Sequence, residues 1–64
     1  MFKFSLVAEF ITDYYKNIFP NIRLGQAFVN KFNIEDKFNL FYLEDNNRAE
    51  DIIWNNYTTW VENT

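Results

Sequence analysis

The lack of both cysteine and histidine in a chain of 64 residues is the feature that most limits how this protein can fold. A chain this short buries only roughly 60% of the surface that it exposes when unfolded, so its stability is expected to be marginal. Disulfide bonds and zinc sites built from cysteine or histidine cannot compensate. Aromatic packing can, because eight Phe, four Tyr and two Trp each bury a large apolar area with few rotatable bonds to fix. We expect one domain spanning residues 1–64.

The charge pattern argues against two classes of partner. Six Lys and Arg against nine Asp and Glu give a net charge of −3, and no basic stripe is present, which disfavours direct binding to nucleic acid. Charged residues interrupt the apolar N-terminal part within any window long enough to cross a bilayer: Lys3, Glu9, Asp13 and Lys16. This part also lacks the features of a signal peptide. We therefore expect a cytoplasmic protein that does not bind membranes.

The spacing of apolar residues predicts two helices in the first half of the chain. The first covers residues 5–19, with Ser5 as its N-cap, and Pro20 ends it. The second covers residues 22–32, with Asn21 as its N-cap.

A third helix is predicted near the C-terminus, because Asn47 and Glu50 have the spacing of a capping box. Its apolar face consists of Ala49, Ile53, Trp54, Tyr57, Trp60 and Val61. Between the second and third helices, residues 33–46 are interpreted as a short helix capped by Asn33 plus an anchored loop. The alternative is a strand at 38–43, but a single strand without a partner is unlikely to be stable. The predicted fold class is all-α, a small three-helix domain with a short helix or ordered loop between the second and third main helices.

No pattern for catalysis is present. General acid-base catalysis favours histidine, and covalent catalysis favours Ser or Cys beside a positioned base. Three adjacent acidic pairs could ligate Mg²⁺ or Ca²⁺, but neighbouring residues on a helix point about 100° apart and the EF-hand pattern is missing. The pairs are Glu35–Asp36, Glu44–Asp45 and Glu50–Asp51. We expect no catalytic residues, no metal site and no cofactor.

The acidic segment 35–51 has a local net charge of −4, because six acidic residues face only Lys37 and Arg48. It is either a solvated acidic loop or a docking surface for a basic partner, such as a nucleic-acid-binding protein. In the second case, four residues are candidate partner contacts: Glu35, Asp36, Glu50 and Asp51.

The apolar arc of the first helix is unusually wide. Ala8, Tyr15 and Phe19 extend it to about 220°, whereas an ordinary surface helix needs a stripe of roughly 100°. Trp54 lies at the edge of the apolar arc of the third helix. We expect this flank to form an intermolecular contact, most simply in a symmetric dimer. The alternative is that residues 38–43 cover the flank within a monomer.

The segment RLGQAFVNKF, residues 23–32, places polar groups in an apolar run, and four of them form a motif: Arg23, Gly25, Gln26 and Asn30. Gly25 lies on the apolar arc, where a missing side chain allows another element to approach closely.

Arg23 in the first helical turn faces the positive end of the helix dipole, which is unfavourable unless a carboxylate is near. We therefore expect the segment Tyr42–Asp45 to fold back over this face. Glu44 or Asp45 would pair with Arg23, and Gln26 would bond to loop backbone groups. The alternative is that the polar side chains of the motif contact a partner directly.

The stretches RLGQAFVN at 23–30 and LFYLED at 40–45 resemble a group of small, uncharacterised phage and prophage-type proteins. These carry an Arg-x-Gly-Gln-x-x-x-Asn segment followed by an acidic (P/L)-F-Y-x-x-D stretch. The resemblance covers about residues 20–45. The chain departs from the common pattern in having Leu40 where proline is frequent, and in continuing into a helix that shorter members lack.

The resemblance implies a phage source but no mechanism. Phage accessory proteins of this size commonly bind and block a bacterial host protein used in defence, transcription or replication, which makes an inhibitor the expected function. Two alternatives stay open: an oligomeric structural or assembly accessory without inhibitory activity, and an acidic, nucleic-acid-mimicking binder of a DNA-binding protein.

Overall fold

The computed structural model describes residues 1–18 and 21–61, with the backbone alone at residues 17 and 18. Phe19 and Pro20, where the first helix was predicted to end, and the last three residues of the chain therefore lie outside the described residues. The elements follow in the order β1 (Phe2–Lys3), α1 (Phe4–Asp13), a π-helical segment (Tyr14–Ile18), α2 (Leu24–Phe32), a 3-10 helix (Leu40–Tyr42), α3 (Asn46–Asn56) and β2 (Thr58–Thr59).

Within the described residues the fold is mostly helical, with three α-helices, so the predicted small helical domain is confirmed in outline, but a short strand pair means that it is not purely all-α. β1 and β2 form a parallel pair in which Phe2 lies opposite Thr58 and Lys3 opposite Thr59. The main-chain N–H of Phe2 donates to the carbonyl of Tyr57 at 2.8 Å. A strand of two residues is too short to show an alternating pattern, so sequence periodicity could not reveal it.

The third helix is shorter than predicted, because it ends at Asn56 rather than continuing through Val61. Thr58 is buried, and its hydroxyl donates to the carbonyl of Ile53 at 2.8 Å, satisfying an acceptor near the end of the helix. β-Branched residues favour strands, so the Thr58–Thr59 pair is the local signal for the change from helix to strand.

The predicted N-caps of α1 and α2 are also wrong. Ser5 lies inside α1, which begins at Phe4 directly after β1. Asn21 adopts a left-handed conformation with φ of 71° in the turn before α2, and the cap position of that helix is Arg23. Asparagine tolerates this conformation better than most residues, which explains its use in a turn rather than as a cap.

Two further cap assignments differ. The side chain of Asp45, not Asn47, caps α3 by accepting the main-chain N–H groups of Asn47 and Arg48. Asn33 does not begin a short helix but closes α2 in a left-handed conformation with φ of 51°. Between residues 38 and 43 the chain forms the 3-10 helix at Leu40–Tyr42 rather than a strand. This agrees with the interpretation of the region as a short helix plus a loop.

The hydrophobic core joins all three α-helices and the 3-10 helix. Its buried members are Val7, Phe10, Ile11, Leu24, Ala27, Phe28, Leu40, Ala49 and Ile53. Phe28 is the centre of the aromatic packing, because its ring centroid lies 4.9 to 5.9 Å from the ring centroids of Phe2, Phe10, Phe32 and Tyr57. Such ring pairs contribute about 0.5–1.5 kcal/mol each beyond their area burial. Aromatic packing thus takes the place of disulfide bonds in stabilising this small domain.

No helix within residues 1–18 and 21–61 is long and apolar enough to cross a membrane.

Candidate functional site

A hydrogen-bonded node fixes how the helices meet at one end of the molecule. Asn46, the first residue of α3, accepts the main-chain N–H of Leu24 at 3.1 Å and donates to the Tyr14 hydroxyl at 3.3 Å. The Tyr14 hydroxyl in turn donates to the carbonyl of Ile22 at 2.8 Å. Asn46 therefore supplies the capping acceptor that α2 lacks locally and ties the end of α1 to α3.

One residue beyond this node, Tyr15 contacts α3 on the outside of the molecule. Its hydroxyl donates to Oε2 of Glu50 at 3.0 Å, and the side chain is 52% exposed. Burial of the phenol, followed by the hydrogen bond to Glu50 and its negative charge, raises the pKa of Tyr15 above its ordinary value. Sequence reasoning placed Tyr15 on an apolar flank and Glu50 in an acidic segment; the structure brings the two candidates together.

The other end of the same flank carries a cluster of aromatic rings. Trp60 stacks on Phe4 with a centroid separation of 5.8 Å and packs against Trp54 in a tilted arrangement with a centroid separation of 5.0 Å. Its indole N–H donates to the carbonyl of Trp54 at 3.4 Å. Despite these contacts, Trp60 is 60% exposed, and Val61 beside it is also largely exposed. Trp60 is thus an exposed tryptophan whose ring is packed against two neighbouring rings.

Trp60 is the functional candidate that sequence reasoning missed. The sequence placed it on the buried face of the third helix, but α3 ends before it and β2 carries it back towards Phe4. Among residues 1–18 and 21–61 it is the most exposed tryptophan side chain, since Trp54 is only partly exposed.

We call this surface the aromatic face and define it by its residues: Phe4, Ala8, Tyr15, Glu50, Trp54 and Trp60. On α1, Phe4 and Ala8 are four residues apart, which places them on one flank of the helix. Tyr15 belongs to the π-helical segment and joins the surface through its hydrogen bond to Glu50. On α3, Glu50 and Trp54 are one turn apart. Ala8 is exposed between the two ends. Phe19, the remaining predicted member of the flank, lies outside the described residues.

The acidic segment 35–51 uses much of its charge within the fold. The carboxylate of Asp36 accepts the main-chain N–H groups of Leu40 at 2.7 Å and Phe41 at 2.9 Å, so it caps the 3-10 helix. Asp45 caps α3. Glu44 lies 3.8 Å from Arg23. These three carboxylates therefore have structural partners.

The two other predicted acidic contacts, Glu35 and Asp51, are exposed. Neither makes an ion pair or a side-chain hydrogen bond to another described residue. They line different concave regions of the surface, Glu35 near Phe38 and Asp51 near Arg48 on the outer side of α3. The acidic segment therefore does not form one continuous surface of free carboxylates.

The first residue of the RLGQ motif, Arg23, contacts the segment just before α3. Arg23 pairs with Glu44, one of the two carboxylates considered for it, but the two side chains are 49% and 83% exposed. Ion pairs this exposed contribute about 0–1 kcal/mol to the free energy of unfolding. Removing Arg23 should therefore destabilise the protein less than removing one partner of a buried ion pair would. Within the described residues the side chains of Gln26 and Asn30 make no hydrogen bond; Gln26 is partly buried and Asn30 exposed.

Gly25 has a packing role. It is buried on α2 against the 3-10 helix, where the carbonyl group of Leu40 occupies the space that a side chain would need. The position of Gly25 on the apolar arc of the helix predicted such a close approach, because glycine has no side chain to prevent it.

A groove of about 440 Å³ lies away from the aromatic face and is lined by Met1, Phe2, Ile34, Glu35, Lys37, Phe38, Asn56 and Tyr57. Its volume is in the range of small-molecule pockets. The Tyr57 hydroxyl, however, already donates to the carbonyl of Glu35 at 3.2 Å. Burial is the main cause of the raised pKa of Tyr57, and nearby carboxylates add to it. The groove thus offers apolar walls, while its phenol is engaged within the fold.

Across the described ranges, no three residues of the acidic, cysteine or histidine types are placed to hold a metal ion.

Comparison with known proteins adds no assignment. No protein-family model matches the sequence, and no curated protein or solved structure matches it.

Proposed function

We propose that this protein is a non-enzymatic binding protein that docks on another protein through its aromatic face. The observation that carries the proposal is Trp60, which is 60% exposed although Phe4 and Trp54 hold its ring in place. Tryptophan is enriched among the residues that dominate interface energies, and a ring that is already ordered loses little entropy on binding. The aromatic face is therefore the surface best suited to form the centre of an interface.

The finer proposal is a phage-encoded accessory protein that binds and inhibits a bacterial host protein. It rests on the resemblance of residues 20–45 to small phage and prophage-type proteins and on the small size of the chain. In that case the inhibitor would act by occupying a surface of the host protein, since binding alone requires no catalytic group.

Self-association is the second candidate, because the aromatic face could bury itself against a second copy. Trp60 and Val61 are adjacent and exposed at 60% and 65%, which is a large apolar area for a chain of 64 residues. A two-fold symmetric dimer is the commonest arrangement for such a surface. Light scattering behind a sizing column distinguishes the two candidates, since a dimer has twice the chain mass of 7.8 kDa.

The acidic-mimic alternative has less support. Asp36 and Asp45 cap helices and Glu44 pairs with Arg23, so three of the carboxylates that would imitate phosphates are turned to structural contacts.

The test is affinity capture from bacterial lysate with the immobilised chain, followed by mass spectrometry and an activity assay of the captured protein. The proposal expects one stoichiometric host protein that Trp60→Ser captures poorly and whose activity falls when the chain is added. Capture of the same protein by wild type and Trp60→Ser alike would contradict docking through the aromatic face. A captured protein whose activity is unchanged would contradict inhibition.

A further inference from the structure

Glu50 is a partly buried carboxylate with unused acceptor capacity. One of its oxygens accepts the hydroxyl of Tyr15 at 3.0 Å. A carboxylate offers about four acceptor positions, so most of its capacity is left. The ion pair found in the described parts of the chain is Arg23–Glu44, and no described cation lies within ion-pair distance of Glu50. The Tyr15 hydroxyl holds the carboxylate in one orientation without neutralising its charge.

Aromatic rings lie directly beside this carboxylate. Trp54 follows Glu50 by one helical turn, which places their Cβ atoms about 5–6 Å apart on the same flank of α3. Trp60 packs on Trp54 with 31° between the ring planes and nearly parallel to Phe4, at 12°. Indole has the most electron-rich face of the protein side chains and attracts cations within about 6 Å of the ring centroid. The Glu50 carboxylate and the partly exposed ring of Trp54 thus lie one helical turn apart, and the largely exposed ring of Trp60 packs against Trp54.

We propose that Glu50, Trp54 and Trp60 bind an arginine side chain of the protein partner. The guanidinium group is planar, so it forms two parallel hydrogen bonds with a carboxylate and stacks on an aromatic ring. Lysine satisfies this arrangement less well, because its ammonium group is a compact and strongly hydrated charge without a flat face. The net charge of −3 favours the approach of a basic partner surface.

This inference rests on the proposed function and deepens it by naming the chemistry of the partner. It also gives Tyr15 a role, because the phenol that holds Glu50 acts as a positioning residue and need not touch the partner.

The test is a titration of the full chain, labelled with ¹⁵N, with three capped peptides that differ at one position. The peptides carry arginine, lysine or citrulline between glycines, and the readout is the indole N–H resonances of Trp54 and Trp60. Citrulline has nearly the shape of arginine but no charge. We expect saturable shifts with the arginine peptide, and about tenfold or more weaker binding of the citrulline peptide, since hydrogen bonds to charged groups contribute about 1.5–3 kcal/mol. Equal binding of the arginine and citrulline peptides would overturn the proposal.

Two matched variants locate the site. Glu50→Gln keeps the shape of the side chain and should weaken binding of the arginine peptide about tenfold, to the level of citrulline. Glu9→Gln removes the same charge from an exposed position on α1, about 100° around the helix from Ala8, and should leave binding unchanged. Equal weakening by the two variants would show attraction to net charge alone and would overturn the proposal. Circular dichroism of both variants verifies that the helices are retained.

The same variants separate this inference from the proposed function. If the captured protein depends on Trp60 but binds Glu50→Gln as tightly as wild type, the arginine site is wrong and docking through the aromatic face stands. If capture does not depend on Trp60, docking through the aromatic face is itself wrong, whatever the peptides show.

Discussion

Gly25 lies so close to Leu40 that a methyl group on Gly25 would overlap the main-chain carbonyl of Leu40. The contact exists because the 3-10 helix Leu40–Tyr42 rests directly on α2. It joins the RLGQ stretch of α2 to the LFYLED stretch that follows it in the chain.

Gly25→Ala should therefore destabilise the protein, although alanine is the better helix former. The propensity gain is about 1 kcal/mol. The overlap is with backbone atoms that cannot rotate away, so we expect a net loss of about 1–3 kcal/mol in the free energy of unfolding. Chemical denaturation measures it. Asn30→Ala on the exposed side of the same helix is the control and should be neutral or slightly stabilising. A Gly25→Ala variant as stable as wild type would show that the 3-10 helix is not held against α2.

Asp36 should matter for stability and Glu35, its neighbour, should not. The carboxylate of Asp36 accepts two main-chain N–H groups of the 3-10 helix, whereas Glu35 is exposed without a side-chain partner among the described residues. We expect Asp36→Ala to cost about 0.5–2 kcal/mol, as for loss of a helix cap, and Glu35→Ala to stay within about 0.5 kcal/mol of wild type. Thermal unfolding of both variants decides the matter; equal melting temperatures would rule out the capping role.

Tyr14 and Asn46 should be energetically coupled, since the Asn46 amide donates to the Tyr14 hydroxyl and also accepts from Leu24. In a double-mutant cycle of Tyr14→Phe and Asn46→Ala, we expect an interaction energy of about 0.5–3 kcal/mol. Asn47→Ala, exposed one residue further on α3, serves as the control and should show additive behaviour with Tyr14→Phe. Additivity of Tyr14→Phe and Asn46→Ala would mean that this node does not tie the helices together.

Tyr15 should give the protein a stability loss at alkaline pH. Its pKa in the folded state is raised above the ordinary value of 10.0 by burial and by Glu50, so folding favours the neutral phenol. This stabilisation is fully present below pH 10.0 and is lost as the pH rises through the folded-state pKa. Unfolding by denaturant at a series of alkaline pH values should show a smaller decline for Tyr15→Phe than for wild type. Identical declines would place the phenol away from the Glu50 carboxylate.

The three main helices could be predicted because each buries a stripe of apolar residues. These residues recur in the sequence with the period of an α-helix. The helix ends could not be predicted in the same way. Asn46 caps α2 from 22 positions away, and Asp36 caps a 3-10 helix whose position depends on Gly25. The Asn46–Leu24 contact forms only through tertiary packing. The caps made by Asp36 and Asp45 are local, and the Asn47–Glu50 pattern placed the cap of α3 two residues too late.

The candidate site was predictable in part. Tyr15, Glu50 and Trp54 were candidates from the sequence, but as members of two different surfaces. Tyr15 and Glu50 meet through their hydrogen bond. Trp54 packs against Trp60, which directly follows the two-residue strand β2 paired with β1. No period exists in an element of two residues, so apolar periodicity could not reveal β2, and the β-branched pair Thr58–Thr59 was the local signal for it.

The most direct test of the account is the affinity of the captured protein for three forms of the chain: wild type, Trp60→Ser and Tyr42→Ser. Tyr42 is 74% exposed on the 3-10 helix, outside the aromatic face, and so serves as the matched exposed aromatic. We expect Trp60→Ser to lose about 2 kcal/mol or more of binding free energy, roughly thirtyfold in Kd, and Tyr42→Ser to bind as wild type does. Wild-type affinity of Trp60→Ser, or a larger loss for Tyr42→Ser, would contradict binding through the aromatic face.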